Sequence, residues 1–263
     1  MNGLAAFWLV LIVILATLPY CNVYGFESIP ITVSGTMDHV TFDGKWSFEK
    51  EWKASSLNTY DYDNGQQIIL RTAHQKNFVY VLLEALTDNS LDTGNDYAII
   101  CFDTKNLKSS NPDKDDYCFM VKLGEQVGTT YVGGYLLNGT YHFEKLPNPD
   151  GYVAISSVSD KNDRYTPIPH PSYEFRIPTD VIGRESIYGF YFKVHDSKSN
   201  IDFTYPQNLH DDFVASPDQW GEIYSPDKSL PEFGFPIILL LISITGMLFV
   251  KQLKLFKNIS IIK

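Results

Sequence analysis

An apolar run at positions 235–250, preceded by Pro231-Glu232-Phe233-Gly234 and followed by Lys251, Lys254 and Lys257, limits what the rest of the chain can become. At a helical rise of about 1.5 Å per residue such a run is about 25 Å long, enough to cross the hydrocarbon of a thin bilayer. Lysines immediately beyond a span mark its cytoplasmic side, because short basic tails resist translocation. A second compact apolar stretch lies at residues 4–18, ahead of Pro19 and a small-residue point at Gly25. It has the build of a secretory signal peptide, although no basic side chain precedes it; an uncleaved anchor would leave the same residues outside. The expected divisions are therefore a signal peptide at 1–25, a folded domain at 26–222, a stalk at 223–234, a transmembrane helix at 235–250 and a cytoplasmic basic tail at 251–263. The bulk of the chain is expected at the cell surface.

Roughly two hundred residues remain between the two apolar ends, which suits one domain with a substantial core. Short apolar and aromatic runs alternate there with Gly, Asn, Asp and Pro, and neither a long amphipathic helix nor an internal repeat is present. The pattern predicts an all-β fold, an antiparallel β-sandwich. Strands are expected at 67–73, 78–86, 97–103, 116–123, 152–157, 173–177 and 187–195. Residues 78–83 are apolar on both faces, as in a central strand covered on each side, whereas Tyr188, Phe190, Phe192 and Val194 alternate with more polar neighbours and predict packing on one face only.

Of the three cysteines, only Cys101 and Cys118 fall in the exported part. They stand in two strand-like segments flanking a turn-rich stretch at 105–115, which reads as a hairpin. Placing Cys101 opposite Cys118 sets Ile99 opposite Met120 and Asp103 opposite Asp116, and a disulfide forms across such a pair where it is of the non-hydrogen-bonded type. An oxidising compartment favours that bond.

The formal net charge of −10 argues against nucleic acid as a partner. No G-x-S-x-G elbow, H-E-x-x-H helix, phosphate loop or metal-spaced Cys/His grouping occurs, and the six histidines are scattered singly, so an enzyme is not expected. Sugar rings present apolar C–H faces that stack on flat aromatic surfaces, which singles out the tryptophans. Trp52 reads as core and Trp220 as part of the closure of the sandwich. Trp46, between Lys45 and Ser47 after an Asp-Gly turn, is the candidate carbohydrate-binding residue. Asp103, Asp113 and Asp115, with Asn111 and Asp116 nearby, offer oxygen ligands suited to a structural calcium; a solvated acidic turn is the plain alternative, and no other cofactor is expected. Asn138-Gly139-Thr140 is a glycosylation sequon on the outer side.

These landmarks have an order. Phe42-Asp43-Gly44-Lys45-Trp46 followed by Glu51-Trp52-Lys53-Ala54, the strand at 78–84, the strand at 97–103 ending in Asp, Tyr173-Glu174-Phe175-Arg176-Ile177-Pro178, and Asp218-Gln219-Trp220-Gly221 together resemble carbohydrate-binding modules of family 9 and their DOMON-like relatives. The resemblance implies a jelly-roll-like sandwich that binds carbohydrate or envelope glycan without catalysis; that family's pair of sandwiching aromatics has no matched counterpart here. Pro231-Glu232-Phe233-Gly234 resembles PEF-type archaeal sorting signals, which implies processing by an archaeosortase-like enzyme. Some DOMON-like domains carry haem b between Met and His or Lys, and Met37, Met120, His74 and His195 supply those residue types. A structural or adhesive envelope protein with a protein partner is the other alternative.

Overall fold

The computed structural model describes residues 28–47, 50–209 and 213–225. The expected signal peptide, sorting motif, transmembrane helix and basic tail lie outside the described residues, among which no helix is long and apolar enough to cross a membrane. The turn-punctuated runs of β-branched and aromatic residues form strands. In chain order these are β1 (Ile29–Pro30), β2 (Thr32–Val33), β3 (Ser56–Asp61), β4 (Gln67–Gln75), β5 (Phe78–Ala85), β6 (Tyr97–Asp103), β7 (Asp116–Lys122), β8 (Thr129–Leu137), β9 (Thr140–Leu146), β10 (Val153–Val158), β11 (Pro171–Pro178), β12 (Ile187–Asp196), β13 (Ile201–Tyr205) and β14 (Gly221–Tyr224). All seven expected strands are present, with ends shifted by no more than a few residues.

The strands build two sheets. The larger runs β1-β14-β12-β6-β7-β8-β9 with β13 on β12, and the smaller runs β10-β11-β5-β4-β2 with β3 on β4. Pairing is antiparallel except where the short β1 and β2 join β14 and β4. Alternate residues of each strand point to opposite faces. Val79, Val81 and Leu83 of β5 therefore meet Ile100, Phe102, Phe119, Phe190 and Phe192 of the other sheet in the main core. This is the β-sandwich that the alternation predicted.

Each sheet is also covered on its outer face. Trp46, Trp52, Tyr80 and Leu82 form a second cluster over the smaller sheet. Cys101, Cys118, Tyr191 and Trp220 form a third over the larger one. Double coverage accounts for the two apolar faces of β5, and it overturns the one-sided reading of β12. Tyr191 and Lys193 are each only 1% exposed. Trp220 stacks on Tyr191 at 6.0 Å, while Lys193 Nζ reaches Asp202 at 3.2 Å and lies over the Tyr97 ring. A lysine looks like a solvent-facing residue in sequence, but with a carboxylate and a ring to meet its ammonium it can lie buried.

The β6–β7 register is the expected one: Cys101 opposite Cys118, Ile99 opposite Met120, Asp103 opposite Asp116. The Cys101–Cys118 disulfide is formed, with a Cα separation of 4.1 Å. At the far end of the domain β14 runs to Tyr224 and pairs with β1 and β12, so residues 223–224 are strand rather than stalk.

Candidate functional site

The β8–β9 hairpin and the loop joining β6 to β7 shape an open hollow at one end of the larger sheet. Asn138 and Gly139 link the two strands with φ of 51° and 83°, the left-handed pair that a two-residue hairpin turn requires. Near its base the hairpin is irregular between Val132 and Tyr135. Glycines stand there for a steric reason: a Cβ on Gly133 would lie 2.4 Å from the Asp113 carbonyl oxygen. The bare backbone lets the hairpin rest against residues 109–114, and the Gly134 N–H donates to the Pro112 carbonyl at 3.0 Å.

Between them opens a cavity of about 460 Å³. Tyr141 and Pro112 give it an apolar side, and Ser109, Asn111, Asp113 and Lys114 give it hydroxyl, amide, carboxylate and ammonium groups. Tyr141 is 46% exposed, so its ring is open to solvent. An accessible ring beside a mixed set of donors and acceptors is the arrangement that suits a polyhydroxylated ligand. Sequence reading passed over this site because its aromatic is a tyrosine in an exposed hairpin rather than a tryptophan in a motif.

Trp46 lies elsewhere, and its burial corrects its candidacy as the carbohydrate-binding residue. It is 4% exposed, with the Arg71 and Arg164 guanidinium groups 4.9 Å and 5.4 Å from its ring and the Tyr165 edge against it. These neighbours come from distant parts of the chain, so the polar residues beside Trp46 in sequence gave the wrong impression. Trp52 and Trp220 are buried as expected. Asn138 sits exposed at the hairpin tip, open to modification.

The calcium set is also corrected. Asp103 is 1% exposed, and its two oxygens accept the backbone N–H groups of Lys105 at 3.2 Å and Lys108 at 2.9 Å. Asp113 accepts from Asp115 N–H and from the Ser109 hydroxyl, and Asp115 meets Lys105 Nζ at 3.3 Å. These carboxylates shape the loop by bonding its own donors and do not converge on one point. Among the described residues, the groups whose ligand atoms do converge are Glu84, Asp163 and His170, and Asp92, Asp96 and Asp196.

Asp116, buried opposite Asp103, has its pKa pushed up to about 8, chiefly by burial, against the bond it accepts from Asp113 N–H and with the neighbouring Asp103, Asp113 and Asp115 charges adding to the rise. A carboxyl whose folded pKa lies above its unfolded value of about 3.9 contributes stability that is fully present below pH 4 and is lost as pH rises toward 8. Between those limits it lowers stability by up to about 1.4 kcal/mol per pH unit. Asp116→Asn is accordingly expected to flatten the pH dependence of urea unfolding between pH 5 and 8 and to exceed the wild type in stability at pH 8; an unchanged slope would contradict this.

The Met and His residues considered for haem are not assembled as a pair. Met37 packs on the outer face of the smaller sheet and Met120 on that of the larger. His195 Nδ1 is held by Asp202 at 2.7 Å, and His74 Nε2 lies 3.0 Å from the Lys76 carbonyl.

No protein-family model matches the sequence. No curated protein matches it either. Among solved structures, the chain is similar to a carbohydrate-binding module of family 9 from Caldicellulosiruptor kristjanssonii in complex with glucose, with a TM-score of 0.48 and 18% identity over 76% of this chain and 95% of that one.

Proposed function

We propose that this chain is an exported, non-catalytic binding module that holds carbohydrate or surface glycan in the hollow between residues 109–114 and the β8–β9 hairpin, with a C-terminal helix anchoring it in the membrane and its tail inside. The observation that carries the reading is the exposed Tyr141 ring facing hydroxyl, amide and carboxylate groups across an open cavity. The order of landmarks resembling family 9 modules supports the ligand class, and the apolar ends with their flanking lysines support the location. The resemblance of Pro231-Glu232-Phe233-Gly234 to a sorting signal adds an archaeosortase-like processing enzyme as a partner.

The test is binding of the full-length chain to a panel of polysaccharides and envelope glycans. At least one is expected to bind, and Tyr141→Ala should weaken it roughly tenfold, the worth of about 1–1.5 kcal/mol for one ring contact. Binding that survives Tyr141→Ala unchanged would move the site elsewhere, and no binding across the panel would abandon the ligand class. A second reading, an adhesive envelope protein with a protein partner, is favoured by one observation: Tyr135, Leu136 and Leu137 of the same hairpin are 44%, 57% and 48% exposed. Exposed apolar strand surface of that kind is where partner chains dock. Substituting Leu136 with aspartate separates the two, since it should spare glycan binding and abolish a protein contact.

A further inference from the structure

Under the loop that joins β10 to β11, on the outer face of the smaller sheet, Glu84, Asp163 and His170 turn their polar atoms toward one another. Their ligand atoms all lie within 4.8 Å, and His170 Nε2 stands 3.9 Å from Glu84 Oε1. Glu84 and His170 are both 0% exposed. Both Glu84 oxygens, Asp163 Oδ2 and His170 Nε2 are buried without a hydrogen-bond partner. Ser172, directly opposite Glu84 on β11, adds a buried hydroxyl in the same condition.

The remaining atoms of these side chains are firmly held, which fixes where the free ones point. Asp163 Oδ1 accepts the N–H groups of Tyr165 at 2.8 Å and Thr166 at 3.1 Å. His170 Nδ1 lies 2.9 Å from the Ile168 carbonyl and 2.8 Å from the Ser159 hydroxyl, which also accepts the His170 backbone N–H; the carbonyl can only accept, so its bond to the ring assigns the proton to Nδ1. An imidazole held in that way by a backbone carbonyl presents its other nitrogen as a ligand. Arg71 on the neighbouring β4 does not neutralise the carboxylates through any bond: its guanidinium donates to the Tyr165 hydroxyl and to the Trp52 and Ser55 carbonyls. Glu84 is fully buried, and without a bound cation its carboxylate carries a desolvation cost of several kcal/mol. One divalent ion, two carboxylates and a neutral imidazole sum to zero charge.

We propose that Glu84, Asp163 and His170 bind one divalent transition-metal ion, with His170 Nε2, a Glu84 oxygen and Asp163 Oδ2 as ligands. The donor set selects the metal. Mixed imidazole and carboxylate ligation suits zinc and its first-row neighbours, whereas calcium takes six to eight oxygens and has no use for the nitrogen. At bond lengths of about 2.0–2.1 Å, tetrahedral ligand atoms stand about 3.3 Å apart, so the cluster closes by at most about 1.5 Å at its widest. Asp163 supplies that movement, being on the loop, while Glu84 lies in β5 and His170 abuts β11. The bound ion pins the loop at 159–170 to the sheet. This site is separate from the glycan hollow and stands or falls independently of it.

The test is equilibrium dialysis of chelator-stripped full-length protein against Zn²⁺, with Co²⁺ as a spectroscopic stand-in and Ca²⁺ as competitor. One Zn²⁺ per chain, visible Co²⁺ absorption and no displacement by equimolar Ca²⁺ are expected. Asp163→Asn and His170→Gln should each weaken uptake by more than the roughly 10–100-fold that loss of an outer partner costs. Asp163→Asn decides the matter if His170→Gln does not fold, because its loop position leaves the sheets intact, which far-UV circular dichroism verifies. Failure of the folded wild type to take up one equivalent overturns the proposal, as does undiminished uptake by Asp163→Asn. Displacement by Ca²⁺ overturns the assignment of a transition metal.

Discussion

Trp52→Ala is expected to lower folding stability by about 3–5 kcal/mol, the range for removing a fully buried large aromatic. Trp52 is 0% exposed, and its loss does more than open a cavity. Its Nε1–H donates to Glu174 Oε1 at 2.9 Å. The other oxygen of that carboxyl accepts the N–H groups of Asp43 at 3.1 Å and Gly44 at 2.8 Å. One buried side chain on β11 therefore ties down two parts of the segment that covers the smaller sheet. Glu174 is 0% exposed, so no water replaces a lost donor and each one removed leaves a polar atom stranded. Trp52→Phe separates the two effects. It keeps most of the ring volume but orphans Oε1, and its expected cost is about 1–3 kcal/mol. Urea unfolding followed by far-UV circular dichroism measures both, and a loss under 1 kcal/mol for Trp52→Ala would show that the cover is not held as described.

That carboxylate also explains which parts of the sequence were readable. The Asp43-Gly44 turn, Trp52 and Glu174 were separate landmarks in the chain, and the fold joins them at one point. Gly44 is required there by its φ of 89° and by space, since a Cβ would lie 2.4 Å from the Ser156 carbonyl carbon. The strands β5, β6, β7 and β11 were legible because apolar and aromatic runs bounded by turn residues are local features of the chain. The β6–β7 register followed from one assumed cysteine pair, since every opposed pair in a ladder moves together.

Coverage of the outer faces was not legible, because it depends on segments far away in the chain. The burial of Trp46 and of the second face of β12 was missed for that reason: Trp46 lies between Lys45 and Ser47 in sequence but among Arg71, Arg164 and Tyr165 in space, and Tyr191 and Lys193 are met by Trp220, Asp202 and Tyr97. Glu84 left a signal that went unused: an acid within an otherwise apolar central strand must have a buried partner. Nothing local pointed from it to Asp163 or His170, which the β5–β11 pairing and the preceding loop bring beside it. The hollow at Tyr141 depends likewise on how the 109–114 loop meets Gly133, a contact no periodicity encodes.

Removing the disulfide with Cys101→Ala and Cys118→Ala is expected to cost about 3 kcal/mol, the entropy of an unfolded chain no longer closed across a loop of this size. The two cysteines are 17 residues apart, and the loop between them carries Asp113, Asn111 and Lys114 of the proposed glycan hollow. For a domain of about 200 residues, that loss corresponds to a fall of roughly 6–12 °C in Tm. Both sulfurs are 0% exposed and packed with Tyr191 and Trp220 under the segment at 213–220, so removal also thins the third cluster and adds to the loss. The same burial separates two regimes of reduction. In the native protein a reductant has no path to the sulfurs until that cover opens, so thiol labelling under dithiothreitol should be slow in buffer and fast in denaturing urea. Fast labelling in buffer would mean that the cover opens readily, and an unchanged Tm in the double variant would mean that the crosslink restrains nothing that the β6–β7 ladder does not already hold. The sheet pairing survives in either case, because the ladder bonds of β6 and β7 do not depend on sulfur.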